Sequence, residues 1–362
     1  LARSTRAPRT LTVVAIAQLP AMTSMTDDPH SSRIAWIDYG RGISIILVVM
    51  MHSTLGVENA MEARSALRWI VDFATPFRVP AFFLLSGLLL SRTINQPWPV
   101  YLDRKVAHFA YFYLIWLVIN CVIKYGLQGP GATTEQILFG LIEPFGTLWF
   151  IYILPLFFVA TKLARRWPAL LFCGALAMNL LAPHTGWGAI DEFTSRYVFF
   201  VAGYLGVRHA QALAASAADH WRATILCLAL GAAVALAVFL SGWPVFKTAP
   251  LLLGIAAAGI AGVIAVSSLL ARFNALDQLR YCGQHSLTIY LAFFLPMAAT
   301  RQAIVRFAPE IGATAASIIV TFAALLLPFV IERAARATPL RFLFQRPNTS
   351  PFSRSPKVAS AE

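Results

Sequence analysis

The chain is poor in charge. Of its 362 residues, 12% are Asp, Glu, Lys or Arg, where a soluble domain carries about 25%. A water-soluble protein of this size could not cover its surface with so little charge. The 58% hydrophobic content equally excludes a disordered chain. Acidic residues are scarcest, with 16 Asp and Glu against 29 Lys and Arg, giving a net charge of +13. The four cysteines, Cys121, Cys173, Cys227 and Cys282, have spacings that fit neither zinc, nor a redox CxxC, nor a disulfide framework. A Walker loop, a GxGxxG turn, HExxH and a GxSxG elbow are all missing, which counts against an ATP-driven pump and a conventional hydrolase. No metal site is expected. Nor is there a repeat at a fixed period, or the two matching Gly/Pro-broken halves of an inverted-repeat carrier.

What the chain has instead is long apolar runs, with a mean hydropathy of +0.68. They predict an all-α integral membrane protein with about ten transmembrane helices. The expected spans are 36–55, 70–91, 107–126, 147–164, 168–183, 193–209, 221–241, 248–270, 284–305 and 311–331, the fifth and sixth being short. Several contain Pro or Gly, which membrane helices tolerate. Residues 1–32 read as a disordered leader or a start-site extension, because the apolar run Leu11–Ala21 is too short to span. Residues 33–335 form the polytopic domain, and 336–362 a disordered basic tail.

The basic residues sit in the breaks between apolar runs. With the N-terminus in the cytoplasm, the cytoplasmic segments collect Arg33, Arg92, Arg104, Lys105, Arg165, Arg166, Arg208, Arg222, Arg272, Arg280, Arg333 and Arg336. The long outer loop Gly126–Gly146 has Glu135 and Glu143 but no Lys or Arg. This is the positive-inside pattern, with both termini cytoplasmic. Topology therefore explains the positive charge, and the expected partner is a lipid bilayer rather than nucleic acid.

Ionisable groups within such spans are where function is to be sought. The first span reads WIDYGRGISIILVVMMHS and holds Arg41 and His52, eleven residues apart. At 100° per residue they project from one helical face within about 20°, and they are about 16 Å apart along the axis. A neutral imidazole can accept a proton from a hydroxyl, so His52 fits a general base; a packing histidine is the plainer alternative. Arg78, in DFATPFRVPAFFLLSGLLLSR, either holds an anionic or polar substrate group or pairs with Asp72. Ser86-Gly87 offers a small surface for close helix approach. Arg92, Arg104 and Lys105 lie at the cytoplasmic side with Arg41, as phosphate-binding charges or as ordinary topology charges.

These blocks resemble the membrane acyltransferase family 3. The Arg-x10-His opening, PFRVPAFFLLSGLLLSR, GTLWFIYILPLFFV, FFVAGYLGVR and YCGQHSLTIYLAFF occur in the family's order over roughly residues 33–331. The loop before the third span, DRKVAHFAYF, lacks the Arg-x-x-Arg of many relatives, and Ala292 to Phe294 replace a His that often follows their I-Y-L. The resemblance implies an enzyme that moves an acyl group, usually acetyl, from cytoplasmic acyl-CoA to a hydroxyl of a carbohydrate or envelope glycan in the inner membrane. It implies Arg41 and His52 as the essential pair and Trp149 as a further site residue. Ser286 and Tyr290 would line the site or support it. Donor binding is expected at Arg41, Arg92, Arg104 and Lys105, acceptor binding at Arg78 and Trp149, with no permanently bound cofactor. The rival expectation is a transporter or flippase for a glycan precursor, with His52, Asp72, Arg78 and Glu143 along its path. A polytopic scaffold without chemistry is the third.

Overall fold

The computed structural model describes residues 29–181, 185–241 and 249–347. Among them there is no strand. The helices run in order as α1 (Pro29–Met61), α2 (Arg68–Ala74), α3 (Arg78–Leu90), α4 (Trp98–Leu102), a π-helical turn (Asp103–Ala107), α5 (His108–Tyr125), α6 (Pro130–Gly140), α7 (Trp149–Ala164), α8 (Pro168–Leu181) and α9 (Gly188–Leu205). They continue as α10 (Val207–Asp219), α11 (Trp221–Leu240), α12 (Ala249–Phe273), α13 (Asp277–Gln284), α14 (Ser286–Ala292), α15 (Phe294–Phe307) and α16 (Ala313–Arg336).

Every one of the ten expected stretches coincides with a helix or a broken pair of helices. Six segments are long and apolar enough to cross a bilayer, and the number is up to eight if each bent pair is one span. α8 has 14 residues, and α9 carries Asp191, Glu192 and Arg196 in its first half, so neither meets the length and apolarity of a full crossing. The chain is a multi-pass membrane protein.

Two expected spans are not single helices. Residues 70–91 break into α2 and α3 with a 47° bend, and 284–305 into α14 and α15 with a 50° bend. Proline explains both: Pro76 lies in the first break and Pro80 in the first turn of α3, and Pro296 cannot donate to the carbonyl of Ala292, where the second lies.

Two apolar clusters form the core. One gathers α3, α7, α9 and α12 around Phe83, Phe157 and Phe200. The other gathers α5, α14 and α16 around Phe112, Trp116 and Phe293. α1 runs between them, giving Trp36 and Ile37 to the first and Ile45, Val49 and Val57 to the second. No residue of α11 is buried, as expected of a helix turned to lipid.

Small residues set the closest crossings, since dispersion and backbone proximity replace the hydrophobic effect in lipid. Gly87 on α3 abuts the Phe200 carbonyl of α9, and Gly203 on α9 abuts the Leu84 carbonyl of α3. The small surface at Ser86-Gly87 is thus a packing device. The second crossing joins α1 to α13: Gly42 lies against the Leu279 carbonyl, and Gly283 against the Asp38 carbonyl and the Gly42 amide. Polar contacts fasten it, with Gln284 Nε2 donating to Asp38 Oδ2 (3.2 Å) and the Tyr39 hydroxyl to Asp277 Oδ1 (3.4 Å).

Of the expected leader 1–32, residues 1–28 lie outside the described residues, and 29–32 form the first turn of α1 instead of unstructured chain. The stretch 336–362 was expected to be unfolded, but its first part is held on α5. Tyr111 Oη donates to the Phe342 carbonyl (3.0 Å), Trp116 Nε1 to the Leu343 carbonyl (3.0 Å), and Phe344 packs on Trp116. The aromatic and apolar side chains Leu340, Phe342, Leu343 and Phe344 of PLRFLF outweigh the flanking prolines and arginines. Residues 348–362 lie outside the described residues.

A side chain on Gly283 must overlap backbone rather than a movable side-chain end. Gly283→Ala should therefore destabilise the protein by about 1–3 kcal/mol, measured as a lowered Tm in detergent. Gly231→Ala on lipid-facing α11, where nothing meets the added methyl, should leave Tm unchanged or raised.

Candidate active site

The two residues singled out in the first span lie on one unbroken helix of 33 residues, α1. Both are partly buried. Their surroundings differ sharply.

At the Arg41 end, the α1–α13 crossing brings the first residue of α14 to the guanidinium, and Arg41 Nη2 donates to Ser286 Oγ at 2.9 Å. Lys105, in the π-helical turn, places its ammonium 5.0 Å from the Phe158 ring centroid. Arg41 and Arg104 are both within electrostatic reach of Lys105. His108 lies beside them, edge-on to Phe112 at 5.0 Å, with Arg346 and Asp103 near its ring. Arg346 pairs with Asp103 at 2.6 Å, which ties the C-terminal segment to this basic mouth. Arg92 is exposed on the turn after α3, and among the described residues no hydrogen bond or ion pair joins it to the cluster. Of the expected donor-side residues, Arg41, Arg104 and Lys105 are brought together and Arg92 is not.

At the other end, His52 faces the break between α14 and α15. Its ring lies 5.5 Å from that of Phe293, the residue at the break. Among the described residues the imidazole has no hydrogen-bond partner, so the packing alternative has no partner helix group to rest on. Arg78, first residue of α3 and thus at the other break, is near enough for its charge to act on His52. It does not pair with Asp72. Asp72 is held by Arg68 Nε at 2.8 Å, whereas Arg78 Nη1 donates to the Val71 carbonyl (2.7 Å) and Thr75 Oγ1 (3.0 Å). The Nε of Arg78 is buried without a partner. His52 therefore sits between two helix breaks. Irregular backbone at membrane depth occurs where it is buried in protein or lines a polar cavity.

Trp149 is the first residue of α7 and does not touch His52. It belongs to the aromatic wall beside it, with Trp149 to Phe150 at 6.3 Å, Phe150 to Tyr290 at 5.6 Å and Tyr290 to Phe293 at 6.4 Å between centroids. Tyr290 props this wall: its hydroxyl accepts from the Phe150 amide at 3.1 Å and donates to the Thr147 carbonyl. Ser286 contacts Arg41, and Tyr290 supports the wall. Glu143, one of the groups on the rival transport path, is occupied by the Gly188 amide at 2.6 Å.

One neighbour was not anticipated as a site residue. It is Arg301, on α15. A Cβ built on Gly56, one turn beyond His52 on α1, would lie 2.8 Å from Arg301 Nη1. The clue available in the sequence was Gly56 itself, a residue without a side chain on the helix that carries His52.

The fold and these groups define a class: a multi-pass helical membrane protein with an arginine and a histidine at two levels of one central helix. The profile of the family described as "Acyltransferase domain", the membrane acyltransferase family 3, matches residues 34–333. The chain belongs to that family. It is 24% identical over 181 residues to the inner membrane protein YcfT of Escherichia coli (strain K12), covering 42% of this chain and 51% of that protein. The match thus spans about half of the relative's length. No solved structure matches the chain.

If His52 faces a water-filled cleft between the breaks rather than lipid, His52→Cys should react with a small charged thiosulfonate. The background would carry Ala at Cys121, Cys173, Cys227 and Cys282. The same reagent should fail at Val49→Cys, since Val49 is 0% exposed. Labelling of neither, read by mass spectrometry, contradicts the open cleft.

Proposed function

We propose that the protein is an acyltransferase that moves an acyl group, acetyl in the simplest case, from cytoplasmic acyl-CoA to a hydroxyl of a carbohydrate or envelope glycan. The observation that carries this reading is the arrangement on α1: a basic mouth at Arg41 and a hydrogen-bond-free imidazole at His52, on one face of an unbroken helix. In this reading ten segments cross or enter the inner membrane, α8 and α9 included, with both termini cytoplasmic. The charge asymmetry of the loops supports that orientation.

The CoA phosphates bind at Arg41, Arg104 and Lys105, with Ser286 fixing the Arg41 guanidinium. Three nearby cations suit a polyphosphate better than one would. The pantetheine arm, a linear chain, extends along α1 and presents the thioester near His52. The acceptor enters from the opposite side, past Arg78 and the aromatic wall of Trp149 and Tyr290. His52 takes the hydroxyl proton as the oxygen attacks the thioester carbonyl. The tetrahedral intermediate collapses with cleavage of the C–S bond, leaving an O-acyl ester. The departing thiolate is protonated from the imidazolium, which regenerates neutral His52 and releases free CoA. No step requires the whole donor to cross the bilayer.

Loss of the base should lower acyl transfer by about 10²–10⁴-fold. In purified protein, His52→Ala should therefore show transfer near background while being recovered from membranes in normal amount. Full activity in that variant would falsify the assignment of His52. Arg41→Ala should instead raise the KM for acyl-CoA, with a smaller effect from Ser286→Ala, which removes one hydrogen bond worth about 1.5–3 kcal/mol to a charged group. In cells, deleting the gene should remove one acyl mass from an envelope glycan. Substrate flux into vesicles without acyl-CoA would instead favour transport.

A further inference from the structure

At the His52 end of the site two arginines, Arg78 and Arg301, form no ion pair among the described residues. Arg78 is 9% exposed and has one buried nitrogen, Nε, with no partner. Its remaining contacts are to a backbone carbonyl and a threonine hydroxyl, not to an acid. Arg301 lies over Gly56, one turn and about 6 Å of rise beyond His52. Among the described residues it forms no ion pair. Of the nearby carboxylates, Glu58 and Asp72 both pair with Arg68, at 2.9 and 2.8 Å, and Glu192 with Arg196 at 3.1 Å. Arg196 and Asp72 lie within electrostatic reach of Arg78, one of each sign, and neither contacts it.

A guanidinium within a bilayer-spanning bundle is costly unless something neutralises it. Structural arginines in such places are paired, and these two are not. Gly56 makes the approach of Arg301 possible, because a side chain there would displace the guanidinium from the helix that carries the base. Arg78 from α3 lies within electrostatic reach of His52, and Arg301 from α15 lies over Gly56, one turn along the same helix, so the two broken spans each bring an arginine to this end of α1.

We propose that these two arginines bind an oxyanion carried by the acceptor, so that the acceptor is an anionic sugar bearing a carboxylate or a phosphate. The guanidinium forks suit either group, since both present paired oxygens. Held there, the anion fixes the sugar and leaves a neighbouring hydroxyl to meet the imidazole. The identity of the bound molecule as acceptor rests on the transferase reading; the anion site itself rests on the two arginines.

The test uses the full chain in lipid nanodiscs with acetyl-CoA as donor and three acceptors at matched ionic strength: methyl glucoside, glucuronate and glucose 6-phosphate. At least one anionic sugar should be used with kcat/KM about 10-fold or more above the glucoside, the scale of a hydrogen bond to a charged group. Which of the two is preferred separates carboxylate from phosphate. Arg301→Gln should bring that preference close to parity, and Arg301→Lys should restore part of it. Equal use of all three sugars, or a preference that survives Arg301→Gln, overturns the proposal. A thermal-shift series with the same sugars and no donor separates the two readings. Stabilisation by an anionic sugar that Arg301→Gln removes supports the anion site even if no transfer is found, in which case the transferase reading fails instead. No stabilisation by either anion together with no anionic preference in transfer overturns the anion site alone.

Discussion

The contact on which the site depends is the backbone crossing of α1 and α13 at Gly42 and Gly283. Both positions lie against main-chain atoms of the opposite helix, so the two helices approach as closely as helices can. That approach sets the start of α14, and with it Ser286, beside Arg41. One helix further on, the α14–α15 break delivers Phe293 to His52. The lever is short: α14 has seven residues between the crossing and the break. A shift at Gly283 therefore propagates to both ends of the site at once.

The same geometry accounts for charge in a setting that disfavours it. α1 is wrapped by α3, α12, α13, α14, α15 and α16, so Arg41 and His52 face protein rather than lipid. Each helix break near His52 comes from proline, and each brings an arginine-bearing helix with it: Arg78 opens α3 and Arg301 sits in α15. The two levels of α1 then do different work. The Arg41 level concentrates positive charge where a polyphosphate can reach it, and the His52 level keeps a free imidazole between aromatic and cationic walls. A long, thin donor is the natural ligand for two levels separated by about three helical turns.

Much of this was legible in the sequence. Ten apolar stretches marked ten helical regions, because burial in lipid needs little more than length and hydropathy. The Arg41–His52 pair followed from helical period alone, which α1, unbroken from Pro29 to Met61, preserves. What could not be read is set by tertiary contact. Arg78, beyond the α2–α3 bend, donates to the Val71 carbonyl and Thr75 rather than to Asp72, which Arg68 holds from within α2. Arg92 looks equivalent to Arg104 by its place in a loop between spans, yet it is exposed on the turn after α3 with no contact to the Arg41 cluster among the described residues. Arg301 lies 249 residues from His52 in sequence, and only the packing of α15 on Gly56 reveals it. The docking of Phe342 to Phe344 on α5 was obscured by the prolines and arginines around them.

Donor and acceptor meeting from opposite ends of α1 is the central claim, and compartmented transfer tests it most directly. Proteoliposomes would enclose an extracted envelope glycan, with acetyl-CoA labelled in both its acetyl and CoA moieties added only outside. The predicted result is acetyl label on the enclosed glycan while the CoA label stays outside. Transfer only when donor and glycan share a compartment, or entry of the CoA label along with the acetyl, would contradict it.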